Sequence, residues 1–139
     1  MRIKFISLLK GTASPLNKEL LDTIADNISS IGDVEVVDNA PDLVHVFGKW
    51  SGTTATTMKG YTHKGIPVVF TSANGLVDVL PPHSLMLAPT VFHCCGPAEA
   101  GLIKKLLPKA SVKVIANEQF TLTTDRTTML RQFNDLYAK

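Results

Sequence analysis

Cysteine is nearly absent from this chain: there are two in 139 residues, Cys94 and Cys95, and they are neighbours. Adjacent cysteines rarely bridge, because their Cα atoms lie too close for relaxed disulfide geometry. No other cysteine can pair with them, so a disulfide framework is excluded and a reducing, cytoplasmic setting is expected. An excess of one charge is lacking too. Fourteen Lys and Arg face 12 Asp and Glu, for a net charge of +2. That balance excludes a strong electrostatic footprint for nucleic acid. No apolar run approaches the ~18 residues of a membrane span. The stretch from Phe5 to Leu9, between Lys4 and Lys10, is shorter than the core of a typical secretion signal. What remains is an ordinary globular composition, 45% hydrophobic and 19% charged, which also excludes disorder. The length fits one domain.

Apolar runs alternate with helical periods along the whole chain. Ile3 to Leu9 reads as a buried strand. Ser14-Pro15 is a helix start, with Ser as cap and Pro at the first helical position. Leu16, Leu20, Leu21, Ile24, Ile28 and Ile31 follow at a helical period, and Gly32 is expected to end that helix in a left-handed conformation. Val34 to Val37 and Leu43 to Phe47 are strand candidates with only five residues between them. A parallel crossover usually needs about a dozen. The first of the two is therefore either an antiparallel edge or shorter than it looks. A weak helix, Thr53 to Lys64, is expected to be interrupted at Gly60. Gly65 to Thr71 is the strongest strand, and Thr90 to Cys94 is another. Gly96-Pro97 opens a helix that Pro108 stops; Val112 to Ala116 is a strand; Thr124 to Ala138 is an amphipathic helix carrying Met129, Leu130, Phe133, Leu136 and Tyr137 on one side.

This alternation predicts a three-layer α/β/α Rossmann-like domain. Its mostly parallel sheet has about six strands and is closed by the carboxy-terminal amphipathic helix. Such sheets bind ligands beyond the carboxyl ends of their strands. The rule nominates the loops Lys10 to Ser14, Gly48 to Gly52, Ser72 to Gly75 and Cys95 to Glu99. Neither a dinucleotide fingerprint nor a phosphate-binding P-loop is present. Trp50, the sole tryptophan, follows a strand end. It either packs between helices or offers a ring plane to a sugar. His45, alternating with apolar neighbours, is read as a buried, hydrogen-bonded core residue. His93 and Cys94 are read as buried strand residues and Cys95 as a small loop hydrophobe. The competing reading makes Cys95 a thiolate at a helix amino end. No second ligand pair accompanies them at metal-binding spacing, so no metal is expected.

Four segments together resemble the amino-terminal domain of family 4 glycosyltransferases. They are Pro41 to Ser51 (PDLVHVFGKWS), Gly65 to Thr71 (GIPVVFT) continuing to Asn74-Gly75-Leu76, Gly96 to Leu106 (GPAEAGLIKKL), and Val114 to Asn117 (VIAN). The resemblance implies one half of a GT-B architecture, in which two Rossmann-like domains face across a cleft. Residues 1–117 would form the Rossmann-like core, and the helix at 124–138 would fold back on it, giving a single domain over 1–139. The amino-terminal half of such enzymes mostly binds the acceptor. The other half holds the nucleotide-sugar donor and two glutamates eight positions apart, and no two of Glu19, Glu35, Glu99 and Glu118 have that spacing. Asn74 stands where the family usually has histidine.

The expectation is an acceptor-binding domain without the donor half, inactive alone, serving glycan or cell-surface polysaccharide synthesis. Its substrate-binding residues would be Gly11, Thr12, Gly48, Trp50, Ser72, Asn74, Gly96 and Glu99. No catalytic residue, metal or cofactor is assigned to it, and a nucleotide-sugar enters only if a partner domain supplies the site. Implied partners are a glycan or lipid-linked sugar acceptor and a donor-domain chain, and peripheral membrane contact is compatible with them. The alternative is a non-catalytic structural or regulatory module that pairs with itself as a homodimer, through apolar residues between Leu76 and Leu87.

Overall fold

A computed structural model describes residues 1–8, 15–32, 34–48, 52–72, 90–94, 97–106, 110–115 and 125–138. The elements run in the order β1 (Arg2–Leu8), α1 (Pro15–Asn27), a 3-10 turn (Ile28–Ser30), β2 (Glu35–Val36), β3 (Leu43–Gly48), α2 (Gly52–Thr62), β4 (Val68–Ser72), β5 (Val91–Cys94), α3 (Pro97–Leu106), β6 (Val112–Val114) and α4 (Arg126–Tyr137). The six strands form one sheet in the order β2-β1-β3-β4-β5-β6, and every neighbouring pair is parallel. The expected Rossmann-like α/β class, with its closing carboxy-terminal helix, is the fold of the chain.

Strand side chains alternate between faces, so each strand feeds two cores. One face presents Ile3, Leu43, Phe47, Val69 and Ile115. It is covered by Leu20 and Ile24 of α1 and by Met129, Leu130, Phe133, Leu136 and Tyr137 of α4. The other presents Val44, Val46, Val68, Phe70, Phe92 and Cys94 beneath Met58 of α2 and Ile103 of α3. All six residues of β3 are buried, the signature of a central parallel strand covered on both sides.

The ambiguity over residues 34–37 resolves into a very short strand. β2 has two residues and pairs in parallel with Arg2 and Ile3 at the beginning of β1. The chain then only has to pass beneath the start of β1 to begin β3 on its other side. Arg2 fastens that crossing: its amide donates to Asp42 Oδ2 at 2.9 Å and its guanidinium to the Asn39 carbonyl at 3.2 Å. Ala40 takes the positive φ of 50° that the bend needs.

Two glycine readings change places. Gly32 does not adopt a left-handed conformation, and α1 stops earlier, at Asn27. There Asn27 Nδ2 donates to the Thr23 carbonyl and Ser30 Oγ to the Asn27 carbonyl. Such local side-chain bonds compete with helical pairing, and the last turn tightens to 3-10. Gly32 instead admits α4, since a Cβ there would lie 2.3 Å from Asn134 Oδ1. The left-handed cap is Gly65, at φ 78°. Its amide donates to the Thr62 carbonyl and that of Ile66 to the Tyr61 carbonyl, a Schellman motif closing α2. Nor does Gly60 interrupt α2, which runs through it.

Helix α4 starts at Asp125. The Asp125 carboxylate accepts from the Thr128 amide at 2.7 Å, and this bond holds its pKa below the ordinary value.

The glycines of the helices make opposite predictions. A Cβ at Gly60 or Gly101 meets nothing within 4 Å, so Gly60→Ala and Gly101→Ala should each stabilise by about 0.5–1 kcal/mol through helix propensity. Gly65→Ala should destabilise by about 1 kcal/mol, because a side chain is strained at that φ. Urea midpoints would move up for the first two and down for the third.

Candidate functional site

The order of the strands locates the site. β1 and β3 are neighbours, yet α1 covers one face of the sheet and α2 the other. The winding therefore reverses between these strands, and their carboxyl ends are where doubly wound sheets as a class take ligands. Leu8, Gly48 and Ser72 lie in one register row there. Gly48 is closely packed: a Cβ would stand 3.0 Å from Leu8 Cβ and 3.3 Å from Thr54 Oγ1. Its missing side chain lets the first turn of α2 sit against the sheet.

Of the eight nominated residues, Gly48 and Ser72 are brought together at this edge. Glu99 falls in the first turn of α3, which follows β5. Gly11, Thr12, Trp50, Asn74 and Gly96 lie outside the described residues, as does Cys95.

Beneath this edge, on the face covered by α4, runs a chain of buried polar side chains, with Thr71 and His93 one row down and His45 three rows down. Tyr137 Oη lies 2.6 Å from His45 Nδ1, and His45 Nε2 lies 2.8 Å from Thr71 Oγ1. Thr71 Oγ1 lies 2.8 Å from His93 Nδ1, and His93 Nε2 lies 3.0 Å from the Ile115 carbonyl. All four side chains are at most 2% exposed. The protons follow from the last partner. A carbonyl only accepts, so His93 Nε2–H donates to it. His93 Nδ1 then accepts from the Thr71 hydroxyl, Thr71 accepts from His45 Nε2–H, and His45 Nδ1 accepts from the Tyr137 hydroxyl. Both histidines are neutral, with the proton on Nε2.

Electrostatics agree with this assignment. Burial pushes His93 down to about 4, against a smaller opposing pull from the Ile115 carbonyl. Burial and then the neighbouring His93 lower His45 well below its usual value, and burial raises Tyr137 well above 10. Aromatic rings seal the chain. His45 stacks on Phe47 at 4.2 Å between centroids, and Phe133 meets His93 edge-on at 4.7 Å.

The reading of His45 as a hydrogen-bonded core residue matches this arrangement, as does the reading of His93 and Cys94 as buried strand residues. Both ring nitrogens of His93 are committed, so it offers no free base or ligand. Thr71 and Tyr137 were visible in sequence only as a strand residue and a helix-stripe residue. Equal parity of His45, Thr71 and His93 on adjacent strands was the available signal, and it becomes legible only once the strand order is known. Among the described residues no three His, Cys, Asp or Glu gather as a metal site, and no helix is long and apolar enough to cross a membrane. Comparison with protein-family models, curated proteins and solved structures found no match.

Thr71 is the junction of the chain. Thr71→Val keeps the shape but strands His45 Nε2–H and His93 Nδ1, and should cost about 3 kcal/mol. Thr71→Ser, which keeps the hydroxyl, should cost clearly less in the same urea titration. The histidines also make stability depend on pH. An unfolded histidine takes its proton near 6.5, native His93 only near about 4. Between those values the unfolded chain binds the extra proton, so stability is complete above about pH 6.5 and falls progressively to about pH 4. The gap for His93 is worth about 3 kcal/mol, and His45 adds in the same direction. Denaturation midpoints measured across this range should fall with acid; a flat profile would contradict neutral, buried histidines.

Proposed function

We propose that this chain is a saccharide-acceptor-binding domain of the family 4 glycosyltransferase type, with the donor site provided by a second domain. One observation carries the reading: the winding reverses between β1 and β3, where doubly wound sheets take their ligands. The four sequence segments that resemble the family support it, since two of them supply β3 and β4 and end at Gly48 and Ser72 on this edge. Gly11, Thr12, Trp50, Asn74, Gly96 and Glu99 belong to the same edge by sequence. In this reading Trp50 stacks on a sugar ring, and backbone amides and hydroxyls of the strand-end loops bond its hydroxyl groups.

The chemistry is divided. The paired glutamates that characterise the donor half have no counterpart among Glu19, Glu35, Glu99 and Glu118. The 139 residues therefore bind and orient an acceptor glycan or lipid-linked sugar, and activation of the nucleotide-sugar belongs to the partner domain. On this reading the protein serves glycan or polysaccharide synthesis, on the acceptor side of the transfer.

Titration with short oligosaccharides, followed by amide shifts in NMR spectra, tests the reading. Shifts should cluster at Leu8, Gly48 and Ser72 and spare Met1, Glu35 and Asp42 at the opposite edge. Trp50→Ala should abolish them while leaving the rest of the spectrum in place. Shifts confined to the opposite edge, or unaffected by Trp50→Ala, would sink the proposal.

A further inference from the structure

The hydrogen-bond chain under α4 has one consistent direction for neutral rings, and every N–H and O–H donor in it is used once. An added proton on either ring meets an Nδ1 that already accepts a bond, so it must reverse one or more bonds of the chain. If it enters at the Tyr137 hydroxyl, each proton shifts one bond along: the Tyr137 proton to His45 Nδ1, the His45 proton to Thr71, the Thr71 proton to His93 Nδ1. The product carries its charge on His93, which still donates to the Ile115 carbonyl from Nε2. Every other bond is now reversed. His45 Nδ1–H points at the Tyr137 oxygen, and the Tyr137 hydroxyl proton has lost its acceptor. Among the described residues that hydroxyl has no other partner.

We propose that this chain is an acid-operated latch on the last turn of α4: uptake of one proton reverses the hydrogen bonds, orphans the Tyr137 hydroxyl and frees that turn from the sheet. The weak point is set by how each group is held. His45, Thr71 and His93 sit on strands paired on both sides. Tyr137 sits at the end of a helix that meets the sheet through side chains alone. An orphaned buried donor is costly, and the cheapest remedy is for the tyrosine to move out to water.

Among the described residues, the titratable groups facing the chain are its own members, His45, His93 and Tyr137. Lys113 pairs in register with His93 but is exposed. Arg2 and Lys4 on β1 alternate to the opposite face from Phe5. Glu19, Asp22 and Asp26 of α1 and Arg126, Arg131 and Asp135 of α4 are exposed. No carboxylate among them stands by to stabilise an imidazolium. The lowered His45 and His93 values are consistent with that. Asp125 also titrates in acid, but it caps the opposite end of α4.

Amide hydrogen exchange on the full 139-residue chain, between about pH 7 and about pH 4 and expressed as protection factors, separates these events. The carboxy-terminal turn is read at Leu136, Tyr137 and Ala138, whose amide bonds the Asn134 carbonyl. The sheet is read at Val44 and Ile115, and the start of α4 at Met129. The latch predicts that protection of the last turn falls by about tenfold more than that of the sheet. It also predicts that the last turn falls before Met129. In Tyr137→Phe, which keeps both histidines but removes the hydroxyl, this excess should vanish. Parallel loss everywhere, earliest loss at Met129, no loss, or an excess that survives in Tyr137→Phe would each overturn the latch.

Discussion

A single carbonyl, that of Ile115, decides the protonation of four side chains on four different elements. Because it can only accept, His93 must donate from Nε2, and the constraint then propagates through Thr71 and His45 to Tyr137. Burial makes the constraint strict, since an unpaired polar group in this interior costs as much as several well-made hydrogen bonds return. An apolar filling of the same space could be equally stable. What the polar chain adds is position. The Tyr137 hydroxyl meets His45 Nδ1 only if α4 has the right rotation and the right axial placement. The apolar stripe of the helix would tolerate sliding; the hydroxyl does not.

The same chain ties the core to the strand edge of the candidate site. Thr71 immediately precedes Ser72, and His45 stacks on Phe47, which immediately precedes Gly48. The strand ends at Gly48 and Ser72 are therefore backed from below by directional bonds as well as by packing, with Thr71 one row beneath Ser72. Sites work best when the groups that form them are held by a rigid supporting layer. Gly48 serves this arrangement twice. It ends β3 at the candidate edge, and its lack of a Cβ lets Thr54 and Leu8 close over it. A glycine at a strand end is thus explained by the protein's own packing before any ligand is considered.

Much of the fold is legible in the sequence because it rests on local, periodic signals. The buried run Leu43 to Phe47, the helix stripe from Met129 to Tyr137 and the strand from Val68 all follow from spacing. The failures concern features whose cause is remote. Gly32 looks like a helix cap because it follows an apolar stripe, yet its role comes from Asn134, a hundred residues away in the chain. Gly65 is the real cap, but Ile66-Pro67 after it disguises it as the start of a strand. Residues 34–37 are legible as a strand candidate, but the direction and two-residue length of β2 are not, because they are set by how the chain passes under β1. In the candidate site, the glycines and the tryptophan stand out by residue type. The polar chain does not, since Thr71 and Tyr137 gain their roles only from strand order.

Strand order also explains why the two histidines coexist. Two imidazoles in one apolar core would repel if both were charged and waste a donor if neither were paired. Placing Thr71 between them, on the intervening strand, solves both problems. The hydroxyl accepts from one ring and donates to the other, so two neutral rings with the same tautomer are bridged without a mismatch. Serine would offer the same valence, but threonine's methyl group also fills the core and its β-branching suits a strand. A carboxylate there would invite protonation of both rings, and an asparagine would present its donor and acceptor too far apart to serve as a single junction. The geometry of β3, β4 and β5 thus leaves few residue types able to stand at position 71. Helix α4 inherits its placement from that choice.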